Sequence, residues 1–191
     1  REVFLGPKEA MTLQQDLGAD VIMAFDQCIA LPASRALTED ALERTLRWAR
    51  TCRDHHPDGA QALFGIVQGG VFPELRGQSA AFLTQHPFDG FAIGGLAVGE
   101  SHEALYEMTQ HTAPLLPADR PRYLMGVGTP IDLVEAVNAG GDMFDCIVPP
   151  KMAQQGYAYT FEGQLRISRA EFRLGDEPLD ASCLCPVCKR Y

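Results

Sequence analysis

Five short apolar stretches, each closed by a polar residue or a glycine, constrain the fold of this chain more than any other feature. They are residues 19–25 before Asp26, 62–67 before Gln68, 90–93 before Gly94-Gly95, 122–125 before Gly126, and 141–144 before Asp145. Stretches with helical spacing separate them. Strand and helix alternating at this rhythm predict a parallel β/α architecture. In such sheets and barrels the carboxyl ends of the strands face one way, and active sites gather at that end. Two carboxylates (Asp26 and Asp145), the Gln68 carboxamide and a Gly-Gly backbone are therefore expected to share one mouth.

The intervening helices are predicted over residues 8–17, 38–52, 73–83, 101–115 and 130–139. In the second, Leu42, Leu46 and Ala49 keep to one face, and Thr38 reads as the N-cap. Pro73 opens the third, where its missing N–H is harmless. Ser101 caps the fourth, with Leu105, Met108 and Thr112 at helical spacing, and Gly140-Gly141 ends the fifth. The rhythm breaks at Pro149-Pro150. Residues 157–161 and 164–168 then flank Glu162-Gly163, which reads as a hairpin turn. A loop over 174–181 leads to a cluster of cysteines. The reading is thus a β/α portion over residues 1–149 carrying the active site, and a small appendage over 150–191.

The chain has 191 residues, 46% of them hydrophobic, which suits one domain with a core, or a domain with an appendage. No apolar run approaches the ~20 residues of a membrane span, and no secretory leader is visible, so no membrane partner and a reducing, cytoplasmic setting are expected. The chain begins at Arg1, inside the pattern, and is expected to be a piece of a longer protein. A formal net charge of -9 argues against a generic nucleic-acid coat. A local basic strip survives, because Lys151, Arg166, Arg169, Arg173, Lys189 and Arg190 crowd the end of the chain.

Three of the six cysteines, Cys183, Cys185 and Cys188, lie close enough in sequence to bind one ion. Dense cysteines in a reducing compartment read as a metal site in preference to disulfides or free thiols. Zinc takes four ligands when structural, so three predict a fourth from elsewhere. Asp145, at a strand end, can be a nucleophile toward an electron-poor carbon, a helix cap or an ion-pair partner. Asp26 beside Gln68 and the Gly95 backbone suits the hydrogen-bonding edge of a purine; the plainer reading of Gln68 is a buried amide satisfying its neighbours. No Walker loop and no G-x-G-x-x-G is present, which argues against nucleoside triphosphates and dinucleotides. His55-His56 reads as solvent-facing, His86, His102 and His111 carry no catalytic spacing, and Trp48 reads as core.

Taken in order, Phe25-Asp26-Gln27-Cys28, Gly65-Ile66-Val67-Gln68-Gly69, Gly94-Gly95-Leu96-Ala97-Val98-Gly99-Glu100, Tyr123-Leu124-Met125-Gly126-Val127-Gly128 and Met143-Phe144-Asp145-Cys146, followed by the cysteine cluster, resemble the queuine tRNA-ribosyltransferase (tRNA-guanine transglycosylase) family. The resemblance runs from about Val3 to Tyr191. It implies a (β/α)8 barrel of the TIM type, incomplete in this chain, with a small zinc-binding β appendage. It implies exchange of the wobble guanine of tRNA for a 7-deazaguanine base through a covalent ribosyl-aspartate on Asp145. Asp26, Gln68 and Gly94-Gly95 match the purine-reading set, Leu96 the contact to the substituent at position 7 with Glu100 behind it, and Met125 an apolar wall. Cys28 with Val98 resembles the bacterial pattern, which favours 7-aminomethyl-7-deazaguanine. Cys183, Cys185 and Cys188 match three ligands of a structural Zn2+ whose fourth, a histidine, lies further downstream in the family.

The family also carries, upstream of the stretch matched here, an aspartate acting as general acid/base and an aromatic that sandwiches the base. Where it has a Pro-Thr-Arg segment with a second Arg, this chain has Pro149-Pro150-Lys151-Met152-Ala153-Gln154. Lys151 keeps one charge without Arg's fork, and Gln154 loses the other, so these two are the candidate RNA contacts. A non-catalytic or divergent paralogue acting on tRNA or another nucleic acid is the alternative. A lyase or aldolase is disfavoured, since none of Lys8, Lys151 and Lys189 closes a β/α strand. Bare sheet edges of an incomplete barrel also predict association, with a homodimer as the simplest form.

Overall fold

A computed structural model describes residues 4–57, 61–175 and 177–190. The chain divides into two compact units, Arg1–Asp145 and Cys146–Tyr191.

The first unit is built on five parallel strands: β1 (Val21–Met23), β2 (Ala62–Val67), β3 (Gly90–Ile93), β4 (Arg122–Leu124) and β5 (Met143–Phe144). They pair in sequence order, with Phe64 opposite Gly90, Ile93 opposite Leu124 and Leu124 opposite Phe144. Five helices connect or precede them: α1 (Pro7–Leu17), α2 (Arg35–His55), α3 (Pro73–Leu83), α4 (His102–Thr112) and α5 (Pro130–Asn138). Right-handed crossovers in an unreversed strand order put every helix on the same face. Consistent with this, each helix from α1 to α5 packs against the next. A singly wound parallel sheet of this kind fits an incomplete β/α barrel.

The core lies between sheet and helices. Leu63, Val67, Ile93 and Leu124 are fully buried, against Leu83 of α3 and Met108 of α4 in the same cluster. Each such side chain stabilises the fold by about 1.5–3 kcal/mol of transfer free energy. From its second residue on, β2 is buried throughout, as strands covered on both faces are. A repeated device fixes the strand starts. Asp89, just before β3, accepts the Leu63 N–H at 2.9 Å, and Asp142, just before β5, accepts the Arg122 N–H at 2.9 Å.

Several local expectations change. The helix expected over 38–52 begins at Arg35, capped by Ser34, whose hydroxyl accepts the Leu37 N–H at 3.3 Å. Thr38 lies a turn inside, 2% exposed, with its own hydroxyl donating back to the Ser34 carbonyl. Ser101 does cap α4, on the Ala104 N–H. Of the two histidines read as solvent-facing, His56 is buried and its Nε2 meets the Gln61 carbonyl at 2.7 Å. Trp48 is half-buried and packs on Phe25 with centroids 5.0 Å apart.

In the second unit, Pro149-Pro150 does not interrupt structure. It occupies the first turn of a short helix, α6 (Val148–Gln154), where proline needs no partner for a missing N–H. An antiparallel hairpin follows, β6 (Tyr157–Thr160) with β7 (Gly163–Arg166). Thr160 pairs with Gly163, so the turn residues are Phe161-Glu162, one position earlier than expected, and Gly163 (φ 124°) closes the turn. A last helix, α7 (Pro186–Arg190), carries Cys188. Among the described residues, no helix is long and apolar enough to cross a membrane.

Candidate active site

The strand ends of the first unit surround a cavity of about 330 Å3, within the size range of small-molecule sites (about 300–1,000 Å3). Asp26 and Cys28 come from the loop after β1, Gln68 from the end of β2, and Gly94 to Val98 from the loop after β3. Tyr123, Met125 and Gly126 come from β4 and its end, and Asp145 directly follows β5. The structure thus brings together Asp26, Cys28, Gln68, Gly94, Gly95, Leu96, Met125 and Asp145. Glu100 does not line the cavity; it sits behind the loop.

One wall is a polar pair. Gln68 is 3% exposed, and its Nε2 donates to Asp26 Oδ2 at 2.6 Å. Its backbone N–H donates to Ser79 Oγ of α3 at 3.1 Å, so the residue is held at its main chain by α3 and at its side chain by Asp26. Burial raises the Asp26 carboxyl above the ordinary carboxylate range, and the Gln68 hydrogen bond offsets only part of the rise. The Cys28 thiol is also raised, first by burial and then by the nearby Asp26 charge. A ligand offering N–H donors to Asp26 would relieve the desolvation that the empty carboxylate bears.

The second wall is the loop after β3. Gly95 has φ 65°, and a Cβ there would run into Oε1 of Gln68. Since Gln68 is tied to Asp26, it cannot swing aside without breaking that pair. Ala97 also sits at positive φ (58°), which disfavours a side chain by about 1–2 kcal/mol. Both carboxylate oxygens of Glu100 offset this: one accepts the Ala97 N–H, the other the Val98 N–H at 3.1 Å. The Val98 carbonyl in turn accepts the Leu31 N–H at 3.1 Å, joining this loop to the one after β1.

The third element is Asp145. Its Oδ1 accepts the Tyr123 hydroxyl at 2.6 Å and the Gly126 N–H at 2.8 Å. Burial and the adjacent Asp145 push the Tyr123 hydroxyl up to about 12, so it stays a donor across the neutral range. With both donors on Oδ1, the carboxylate is fixed while Oδ2 carries no recorded partner among the described residues. A held, solvent-exposed carboxylate beside a cavity of this kind is suited to nucleophilic attack on an electron-poor carbon. Tyr123 was not assigned a role from the sequence, although a tyrosine three residues before Gly126 on the same strand was legible as a neighbour of that mouth.

The second unit holds the metal candidate. Ligand atoms of Cys183, Cys185 and Cys188 all lie within 4.8 Å of one another. Tetrahedral Zn–S bonds of ~2.3 Å put sulfurs about 3.8 Å apart, so a small contraction would seat one ion. Asp180 shapes the approach to this cluster: it accepts the Ser182 N–H at 2.9 Å and the Phe161 N–H of the hairpin at 2.9 Å. None of the described side chains of this unit is a buried hydrophobic, and a small unit without a core gains most from a metal staple. Lys151 and Gln154 stand three residues apart on α6, both exposed.

A singly wound parallel β/α unit with two carboxylates and an amide around one cavity at its strand ends defines an enzyme-like site of small-molecule size. The chain belongs to the queuine tRNA-ribosyltransferase family, whose family model matches residues 1–191. It is 50% identical over 190 residues to the queuine tRNA-ribosyltransferase of Solidesulfovibrio magneticus, covering 98% of this chain and 51% of that protein. It is 47% identical over 190 residues to the enzyme of the same name from Francisella tularensis subsp. novicida, covering 100% of this chain and 52% of that protein. The chain spans about half the length of the curated relatives it matches.

Proposed function

We propose that the protein of which this chain is part exchanges the wobble guanine of tRNA for a 7-deazaguanine base, in a barrel of the (β/α)8 type. The observation that carries the reading is the convergence of Asp26, Gln68 and Asp145 on one cavity in a chain of this family. Asp145 Oδ2 attacks the anomeric carbon of the ribose; the C1′–N9 bond breaks, and guanine leaves with the bonding pair on N9 and takes up a proton. The incoming base loses its N9 proton and attacks C1′ from the opposite side, expelling the Asp145 carboxylate. Two inversions give net retention. The Tyr123 hydroxyl and Gly126 amide hold Oδ1 throughout and steady the carboxylate as it leaves.

Asp26 accepts the ring and amino N–H groups of the base. Gln68 Oε1 and Nε2 and the backbone at Gly94-Gly95 complete the edge, Met125 lies along the apolar side, and Leu96 and Cys28 stand near the position-7 substituent. Cys28 and Val98, both lining the cavity and resembling the bacterial pattern of the family, favour 7-aminomethyl-7-deazaguanine as incoming base. Lys151 and Gln154 contact the RNA backbone; Lys151→Ala should weaken tRNA binding without changing base affinity, and equal tRNA affinity would remove Lys151 from the interface.

Cys183, Cys185 and Cys188 hold a Zn2+ that supplies a structural cross-link and no chemistry on the base. In the full-length protein, Cys185→Ser should lower zinc content well below one per chain and render the cysteine-bearing segment sensitive to protease. Unaltered zinc by elemental analysis would discard this assignment. The whole reading is tested by exchange of radiolabelled guanine into tRNA by the full-length protein. A protein that binds tRNA but never exchanges guanine would be a binding paralogue instead.

A further inference from the structure

Arg76 is the largest fully buried side chain among the described residues, 0% exposed on α3. No carboxylate pairs with it among the described residues. Its partners are backbone carbonyls of two glycine turns: Nε donates to Gly70 O at 2.7 Å, and one terminal nitrogen donates to Gly94 O at 3.1 Å and, more weakly, to Gly95 O at 3.4 Å. The other terminal nitrogen is buried with no partner. The close fit extends to the backbone, because a Cβ on Gly69 would stand 2.7 Å from the Arg76 amide nitrogen. Removing a guanidinium from water without an ion pair is costly, so its position calls for a gain elsewhere.

That gain lies in the peptide planes it grips. The Leu31-Pro32 bond is the only cis peptide among the described residues, so the Gly94–Gly95 and Gly95–Leu96 peptides are trans. In a trans peptide, the C=O and the following N–H point in opposite directions. Arg76 takes the two carbonyls from behind, and the Gly95 and Leu96 N–H groups are thereby turned away from it. Gly94, Gly95 and Leu96 line the cavity, and Arg76 does not. Neither N–H donates to an oxygen among the described residues, and the Gly95 N–H is near enough to moderate the Cys28 thiol. Ser79, one turn along the same helix, accepts the backbone N–H of Gln68 and so anchors the neighbouring wall to α3 as well.

We propose that Arg76 is the positioning residue that aims the Gly95 and Leu96 amides into the cavity, and so selects a base bearing a carbonyl oxygen on that edge. This rests on the base-exchange reading and adds to it the group that sets its donor–acceptor preference. Arg suits the task because its rigid planar guanidinium donates from Nε to the Gly70 turn and from a terminal nitrogen to the Gly94-Gly95 turn, whereas an ammonium offers its donors from a single point on a flexible stem. Burial lowers the guanidinium only to about 10, so it remains a cation at neutral pH.

The test measures, by calorimetry on the full-length protein, the Kd of guanine and of 6-thioguanine, which keeps the N1–H and the 2-amino group but replaces the carbonyl oxygen with a weakly accepting sulfur. Wild type should prefer guanine. In Arg76→Met the preference should fall by about tenfold or more, equivalent to ~1.4 kcal/mol. Arg76→Lys should fall between. Ala80→Gly, on the same helix, should lower Tm with the preference intact, which separates positioning from general loosening. A wild-type preference retained in Arg76→Met overturns the proposal. Should that variant not fold, an unchanged preference in Arg76→Lys overturns it equally. A wild type that binds both bases equally overturns this inference alone; a wild type that binds neither sinks the base-exchange reading, and this inference with it.

Discussion

Asp145→Ala is expected to cut guanine exchange in the full-length protein by a factor on the order of 10^4 or more, with base affinity little changed. Removal of a covalent nucleophile deletes the only path with a ribosyl-enzyme intermediate, and effects of this order follow when a nucleophile is lost from an otherwise intact site. The side chain lies at the open end of the sheet and is exposed, so the fold should tolerate the change. Two further readouts sharpen the result. Denaturing gels of the wild-type protein stalled on tRNA should retain a covalent adduct that the variant lacks. Tyr123→Phe, which leaves the Gly126 N–H on Oδ1 but removes the hydroxyl at 2.6 Å, should lower kcat by roughly 10- to 100-fold with the KM for base unaltered, at or below the ~10^2–10^3 that one preorganised donor contributes because the second donor remains. Exchange persisting in Asp145→Ala would move the nucleophile elsewhere.

The second large effect belongs to Asp26. Asp26→Asn exchanges a pure acceptor for a group that is half donor, opposite a base edge that presents donors only. Sites that pair buried polar groups with a ligand discriminate by about 10^4 or more when a partner is missing, and a loss of affinity of at least about 100-fold is expected here. The pH dependence follows from the direction of the Asp26 shift. Burial raises its carboxyl above the ordinary range, so the ionised, accepting form is depleted as pH falls through that raised value. Base binding should therefore weaken on the acid side at a pH above that of a free aspartate, and the weakening should vanish in Asp26→Asn. The same raised value means that the protonated side chain favours the ligand-free fold at low pH. That contribution is lost as pH rises from the unfolded value through the folded one. An acid limb shared by wild type and Asp26→Asn would point to a different titrating group.

Much of this arrangement was legible in the chain because parallel strands impose a simple rule. A continuous apolar run ending in a polar residue locates a strand and its chemically useful end together. On that rule β2, β3 and α3 fell at their observed bounds, and Asp26, Gln68, Gly94-Gly95 and Asp145 were gathered at one mouth. What escaped was decided by contacts rather than pattern. The start of α2 depends on which of two hydroxyls, Ser34 or Thr38, caps it, and the composition of that segment permits either. The helix α6 was hidden by prolines, which read as breakers although its first turn accepts them. His56 reads as surface in the sequence because its burial depends on a carbonyl, that of Gln61, brought to it only by folding. Arg76 lies at helical spacing with Ser79, Ala80 and Leu83, on the side that packs inward; a cation on an apolar stripe was the available sign, but its carbonyl partners come from turns distant in sequence.

The carboxylates that precede β3 and β5 suggest a use beyond description. Asp89 and Asp142 lock the starts of neighbouring strands, at the opposite rim from every residue assigned to chemistry. Engineering confined to that lower rim could harden the scaffold against heat while leaving ligand choice untouched, and changes at the upper loops could retune selectivity with little loss of solidity. In this architecture durability and discrimination are separately adjustable.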